Sequence, residues 1–184
     1  MIGIMESQKS GHLITGNFDL ISQQFGNGSV SSITFSSIPQ TYKSLQLRVN
    51  VLNAAGGSTQ CGVQFNSVTT GYYYHGLAAT NGNTAYADVF GNVAYIIGSP
   101  ASAGGLSISY PAVSIIDIID YTSTSKFKTI KGILGINNNV NVSSTMGAYG
   151  GLYPSTTAIT SLTYYSTGSN AFSSTSSFAL YGVS

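Results

Sequence analysis

Two carboxylates stand three residues apart in an apolar run, Asp117 and Asp120 within Val113 to Tyr121. A carboxylate pair can divide general-acid and general-base work. On a strand, however, side chains alternate between faces, so an offset of three points these two apart. They are not expected to act on one bond. One of them is better suited to a turn, where Asp accepts local backbone hydrogen bonds. His75 has no partner nearby in sequence, which fits a hydrogen-bonded structural imidazole, and His12 reads as a solvated residue. Cys61 is the chain's one cysteine. It excludes an internal disulfide and a multi-cysteine metal site, and the alternation Cys61, Val63, Phe65 makes it a small buried hydrophobe. No phosphate loop, dinucleotide fingerprint, H-E-x-x-H or zinc spacing is present. The chain is expected to be no enzyme, with no catalytic residue, no metal and no cofactor.

Side chains suited to contact are more prominent. Lys126, Lys128 and Lys131 hold half of the six basic residues in one stretch. A regular strand puts Lys126 and Lys128 on one face and Lys131 on the other. They read either as a solvated edge that discourages pairing or as a contact to an acidic neighbour. Tyr72, Tyr73 and Tyr74 offer apolar area with a hydroxyl at low entropic cost. That suits a protein interface, sugar contact or core filling.

Only 6% of the 184 residues are charged and 42% are hydrophobic, where ordinary domains carry about 25% charged residues. Hydroxyls and amides supply the polarity, and these groups pack against a neighbour with little penalty once paired. The net charge of +1 offers nothing to nucleic acid or to an anionic membrane, both of which call for basic patches. No apolar run approaches the ~18 residues of a membrane span. Met1 to Glu6 lacks the basic start and apolar core of a secretory signal, so Sec export is not expected. Near-zero charge leaves a free monomer little colloidal protection, which favours an assembled state.

Those residues need elements to hold them, and the pattern is of short strands. Residues 1–17 have no clear period and read as an arm preceding a single domain over 18–184. Phe18 begins a strand, Asn27-Gly28 signals a hairpin turn, Val30 to Phe35 returns, and Ile38-Pro39-Gln40 breaks the pattern. In Ser44 to Leu52, Leu45, Leu47, Val49 and Val51 alternate with Gln46, Arg48 and Asn50, a half-buried strand. Cys61 to Phe65 is another strand, and Gly71 to Gly76 reads as a tyrosine-rich connection. Ala85 to Ile97 is one bent strand or two, since Gly91 can mark a bulge. Val113 to Tyr121 and Lys126 to Ile136 flank a turn, and Val140 to Met146 follows. Pro154 and its glycine neighbours end what precedes them. Thr157 to Tyr165 has the composition of a pleated surface. The last strand puts Phe178 and Leu180 on one face and Ala179, Tyr181 and Val183 on the other, and is expected to pair inside the sheet. Short strands at this spacing with no helical stripe indicate an all-β antiparallel sandwich or barrel.

Several of these segments, taken in order, resemble a group of small virion proteins of tailed bacteriophages. They are Phe18-Asp19-Leu20-Ile21-Ser22, Ile33 to Arg48, Phe65-Asn66 with Tyr74-His75, and Ile118 to Tyr121 with Lys126 to Thr129. Leu152-Tyr153, Ala158 to Leu162 and Phe178 to Gly182 complete the match. It runs from about Phe18 to Val183 and departs at Tyr153-Pro154, where a tryptophan and no proline is expected. The resemblance implies a jelly-roll-like β-sandwich in a phage particle, with capsid decoration and a place in the tail or fibre both open.

The expected function is that of a capsid decoration, or cement, protein that binds across neighbouring subunits of the major capsid protein. The alternative is a tail or fibre module binding host-surface glycan. The expected location is the virion, assembled in the host cytoplasm. A homotrimer or another symmetric oligomer is expected. The expected contact residues are Ile2, Ile4, Met5, Leu13 and Ile14 of the arm, together with Tyr72, Tyr73 and Tyr74.

Overall fold

The structure is a computed structural model and describes residues 18–55, 60–80, 84–99, 110–136 and 145–184. The arm, with its apolar residues Ile2, Ile4, Met5, Leu13 and Ile14, lies outside the described residues. So do the expected turns at Asn81-Gly82 and at Asn137 to Asn139.

Twelve strands are described: β1 (Phe18–Phe25), β2 (Ser32–Phe35), β3 (Ser44–Val51), β4 (Cys61–Phe65), β5 (Tyr72–Thr80), β6 (Thr84–Val93), β7 (Ile96–Ile97), β8 (Ala112–Ile119), β9 (Lys128–Ile136), β10 (Thr145–Tyr153), β11 (Leu162–Ser166) and β12 (Ser177–Val183). They form an eight-stranded sheet in the order β1-β12-β3-β8-β9-β10-β5-β6 and a four-stranded sheet in the order β2-β11-β4-β7. All pairings are antiparallel, and the two sheets pack face to face as a sandwich.

The alternation in β3 does what its spacing demands. Leu45, Leu47, Val49 and Val51 are buried, and Arg48 and Asn50 are exposed. Cys61, Val63 and Phe65 are fully buried from the facing sheet. β12 lies inside the large sheet between β1 and β3, with Phe178 and Leu180 in the core. Two aromatic clusters fill the space between the sheets. In one, Tyr72 stacks on Tyr153 at 5.1 Å with Phe65 beside them. In the other, Tyr164, Phe172 and Phe178 meet at 5.1–6.0 Å. The hydroxyls of Tyr72 and Tyr164 are satisfied, as burial requires. The Tyr72 hydroxyl accepts from Phe65 N at 2.8 Å and donates to Val68 O at 3.1 Å, and the Tyr164 hydroxyl donates to Gly98 O at 3.3 Å.

Several expectations need correction. Asn27-Gly28 does turn the chain: the Asn27 Oδ1 accepts from Ser29 N and Val30 N, and Gly28 takes a φ of 81°. It makes no hairpin, however, because β1 pairs with β12 in one sheet and β2 with β11 in the other. Gly71 to Gly76 is no connection but the start of β5. Gly76 sits there because the Tyr149 ring lies where a Cβ would be, 2.2 Å away. Of the two expected forms of Ala85 to Ile97, the structure has two strands, and they lie in different sheets. A bulge at Gly91-Asn92 sets two residues of β6 opposite Tyr73. Gly150 and Gly151 belong to β10, and Pro154 is what ends it. Of Thr157 to Tyr165, the strand begins only at Leu162.

The stretch before β11 is held by Asn66 together with Gln40, whose Nε2 donates to Ile159 O at 3.0 Å. Asn66 donates from Nδ2 to Ala158 O at 2.8 Å, and its Oδ1 accepts from Thr160 N at 2.9 Å and Ser161 N at 3.2 Å. This clamp seats the fully buried Ile159. Asn66 has a φ of 51°, which asparagine tolerates better than most residues. Asn66→Ala should therefore lower the unfolding free energy by about 2 kcal/mol in urea denaturation. A loss under about 0.5 kcal/mol would show that the clamp is not needed.

Candidate functional site

The structure separates the residues that could do chemistry. Asp117 lies on the outer face of the large sheet, 3.3 Å from Lys131 Nζ, and accepts from Gln46 Nε2 at 2.7 Å. Asp120 is not on the strand at all. It sits in the β8–β9 turn with a φ of 54°, and its carboxylate meets Lys126 Nζ at 3.3 Å. Each acid thus has its own cation. The lysine stretch is also not a solvated edge, since β9 is a central strand between β8 and β10. Lys126 precedes the strand, and Lys128 is fully buried, donating to the carbonyls of Ser123 and Lys126. Burial lowers the Lys128 pKa, against which the nearby Asp120 charge acts. Among the described residues no group of three or more His, Cys, Asp and Glu side chains could hold a metal ion. No described helix is long and apolar enough to cross a membrane.

The tyrosine triplet is split by the pleat. Tyr72 and Tyr74 point into the sandwich and are buried, while Tyr73 points outward and is exposed. Partner contact through Tyr72 and Tyr74 is closed off in this fold, because period-two alternation sends alternate residues to the core. His75, beside Tyr73, is exposed on the same outer face.

That outer face is the largest feature that sequence reading missed. The strand registers align its residues in rows. One row runs Arg48, Ile115, Ile133, Ala148, Leu77, Ala87. The next runs Asn50, Val113, Gly135, Met146, Ala79, Ala85. A third runs Gln46, Asp117, Lys131, Gly150, His75, Val89. Leu77, Val89 and Met146 are each about 70% exposed, and Val113, Ile115 and Ile133 about half. With strands ~4.8 Å apart and rows ~6.8 Å apart, the first two rows over five strands span roughly 330 Å², within the range of the largest apolar patch on a typical monomer. Beside it, β1 adds exposed Phe18, Leu20 and Phe25. The Arg48 guanidinium lies 4.8 Å from the Phe18 ring centroid and 4.5 Å from that of Tyr181, and donates to Gln46 Oε1 at 2.7 Å. The outer face of the small sheet is the opposite in character. It presents Ser32, Thr34, Gln64, Thr163 and Tyr165, with the Thr34 and Thr163 hydroxyls hydrogen-bonded at 3.0 Å.

A second feature lies on the inner side, where β7 ends the small sheet and β5, β6 and β10 continue. Tyr74, Tyr86, Asp88, Phe90, Tyr95 and Tyr149 line a cavity of about 430 Å³ there. Phe90 stacks on Tyr74 at 4.8 Å, Tyr149 meets Tyr74 edge-on at 6.1 Å, and the Tyr95 hydroxyl donates to Gln60 Oε1 at 2.9 Å. Asp88 is half-buried on the rim, and no cation pairs with it among the described residues. Burial first, and then neighbouring charge including that of Asp88, raises the pKa of Tyr74, Tyr86 and Tyr149. Such a mixture of rings, hydroxyls and one carboxylate can stack on a sugar ring and accept from its hydroxyls. Its sequence signal was the alternation Tyr86, Asp88, Phe90 on one strand face.

Burial also pushes the Cys61 thiol up to about 11, and raises the phenols of Tyr72 and Tyr164. In the unfolded chain these groups lose their protons first, from about pH 9 upward. Below that pH both states hold the protons and these groups leave stability unchanged. Between the unfolded and the folded values the native state alone keeps them, and stability falls as the pH rises. Urea midpoints should therefore decline steadily from about pH 9 to about pH 11, with tyrosinate absorbance rising together with unfolding. A midpoint that stays flat over that interval would contradict the burial of these groups.

No family model, no curated protein and no solved structure matches this chain.

Proposed function

We propose that the chain is a structural, non-enzymatic component of a bacteriophage particle, a capsid decoration protein of jelly-roll-like type that works as a symmetric homo-oligomer on the major capsid protein. The observation that carries this reading is the outer face of the large sheet, broad, apolar and nearly uncharged. A face of this kind gains free energy by leaving water and has little charge to desolvate in doing so. The phage setting comes from the resemblance of Phe18 to Val183. The mechanism is mass action: a protein that binds the assembled shell and not its separated subunits raises the cost of separating them. The arm, with Ile2, Ile4, Met5, Leu13 and Ile14, supplies the contact to the shell. Imaging particles that carry the chain should place it on the capsid surface. Its location on the tail would overturn the decoration role. Deleting residues 1–17 should leave a folded protein that no longer co-sediments with shells. Undiminished binding by that truncated protein would overturn the docking arm.

One observation favours a second reading, a tail or fibre module that binds host glycan. It is the ring-lined cavity with Asp88 on its rim, where no cation among the described residues pairs with it. Under this reading Phe90, 40% exposed, is the stacking platform, and Phe90→Ala should weaken saccharide binding at least tenfold at unchanged thermal midpoint. Unaltered affinity in that variant, or no binding by the parent chain across a glycan array, would dismiss it.

A further inference from the structure

The outer face of the large sheet need not meet a chemically different partner, because its relief fits itself. Ile133 and Met146 stand as diagonal neighbours on adjacent strands, in consecutive rows, and form a ridge more than half exposed. On one flank is a groove of about 540 Å³ bounded by Arg48, Val113, Ile115 and Tyr181. On the other is a groove of about 620 Å³ floored by Ala79, Ala85, Ala87 and Ala148. Ridge and grooves share Ile133 and Met146 as a common wall. A two-fold axis through the face would lay the ridge of one copy into a groove of the other, and the same patch would serve both. We propose that this face is the interface of an isologous dimer of this chain, its occupant a second copy packed sheet on sheet at the ~10 Å spacing of packed sheets.

Three further facts favour a second copy. The first is area. Eight strands ~4.8 Å apart and rows spanning ~22 Å give a face of roughly 800 Å², the amount a standard interface takes from each partner. The second is charge. The charged groups of the face are already answered within one chain: Asp117 by Lys131 and Gln46, and Arg48 by Gln46 and two rings. A partner chosen for opposite charge would find little to pair with, whereas a copy brings equally satisfied groups. The third is shape. Three flat faces about 35 Å wide around a three-fold axis hold their central strands about 10 Å from that axis, too far for Ile133 and Met146 to reach one another. Two faces on a two-fold bring the same residues into contact.

This inference rests on the assembly reading above and says which surface pairs the copies. The full chain should show the mass of two chains by light scattering at micromolar concentration. Ile133→Asp and Met146→Lys place a charge at exposed ridge positions, so the fold should survive, as judged by far-ultraviolet circular dichroism and thermal midpoint. Each should raise the dimer dissociation constant at least a hundredfold, about 3 kcal/mol. Thr124→Asp, in the exposed β8–β9 turn, should leave it unchanged. A monomeric or trimeric parent chain overturns the proposal, as does a dimer that both ridge variants leave intact. A full-length monomer that dimerises once residues 1–17 are removed overturns it too, since the chain's own arm would then be the occupant. Failure to bind shells while the dimer persists would count against the decoration role and leave the interface standing.

Discussion

Eight strands facing four is the constraint from which the other features of this sandwich follow. A sheet gains stability by removing one apolar face from water, and the four-stranded sheet is about half as wide as its partner. Over β12, β3, β8 and their neighbours the inner face is sealed by Ile33, Phe35, Val63, Leu162 and Tyr164 from the small sheet. Toward β5 and β6 that cover ends, and aromatic rings take its place. Tyr149 lies flat on the backbone at Gly76, Tyr74 stands against it, and Phe90 closes over Tyr74. Rings cover a wide sheet with few residues but cannot tile it without gaps, and the gap they leave is the cavity lined by Tyr86, Asp88 and Tyr95. The unequal sheets thus create the ring-lined cavity.

The same inequality bears on the outer surfaces. The small sheet's outer face is made of hydroxyls and amides that serve water well. The large sheet's is mostly Val, Ile, Leu, Met and Ala, interrupted by Asn50, Tyr73 and His75 and by the strip that holds Gln46, Arg48, Asp117 and Lys131. Those four side chains hold each other, and Arg48 is further held between Phe18 and Tyr181. Their internal pairing lowers the cost of removing the strip from water, so the strip interrupts the apolar face without forbidding its burial.

How much of this could be read from the sequence depended on what filled each strand. Where both faces of a strand carry full-sized side chains of opposite character, as in β3, the period of two is plain. β12 and β4 were legible from their core faces, Phe178 with Leu180 and Cys61 with Val63 and Phe65. β5 and β10 were not, because Gly76, Gly150 and Gly151 look like turn residues, and the groups that fill the place of a Cβ, the Tyr149 ring at Gly76 and the Ile96 side chain at Gly151, come from elsewhere in the chain. The Asn27-Gly28 turn was visible but its geometry was not. A local signal says that the chain turns, and only the distant partners β12 and β11 decide that it turns between sheets. Lys128 was misplaced by the same limit. Its burial depends on the Ser123 carbonyl across the turn, which charge counting does not register. In β8, Val113, Ile115 and Ile119 made the run look buried on both faces, and periodicity could not reveal that one of those faces lacks a cover.

The edges of the large sheet indicate where association can occur. β1 and β6 are its free margins, and each carries one extra residue. Between Leu20 and Ser22, β1 inserts Ile21 against β12, and Gly91-Asn92 inserts into β6 against β5. Bulges at both margins twist the unpaired backbone away from a flat template and so discourage strand-by-strand addition, which would have no natural end. What stays flat, regular and apolar is the face between them. Contact through a margin propagates, whereas contact through a single face is used up when it is made. A chain with almost no net charge to keep its copies apart relies on that difference. It can expose an apolar surface safely only where pairing closes on itself.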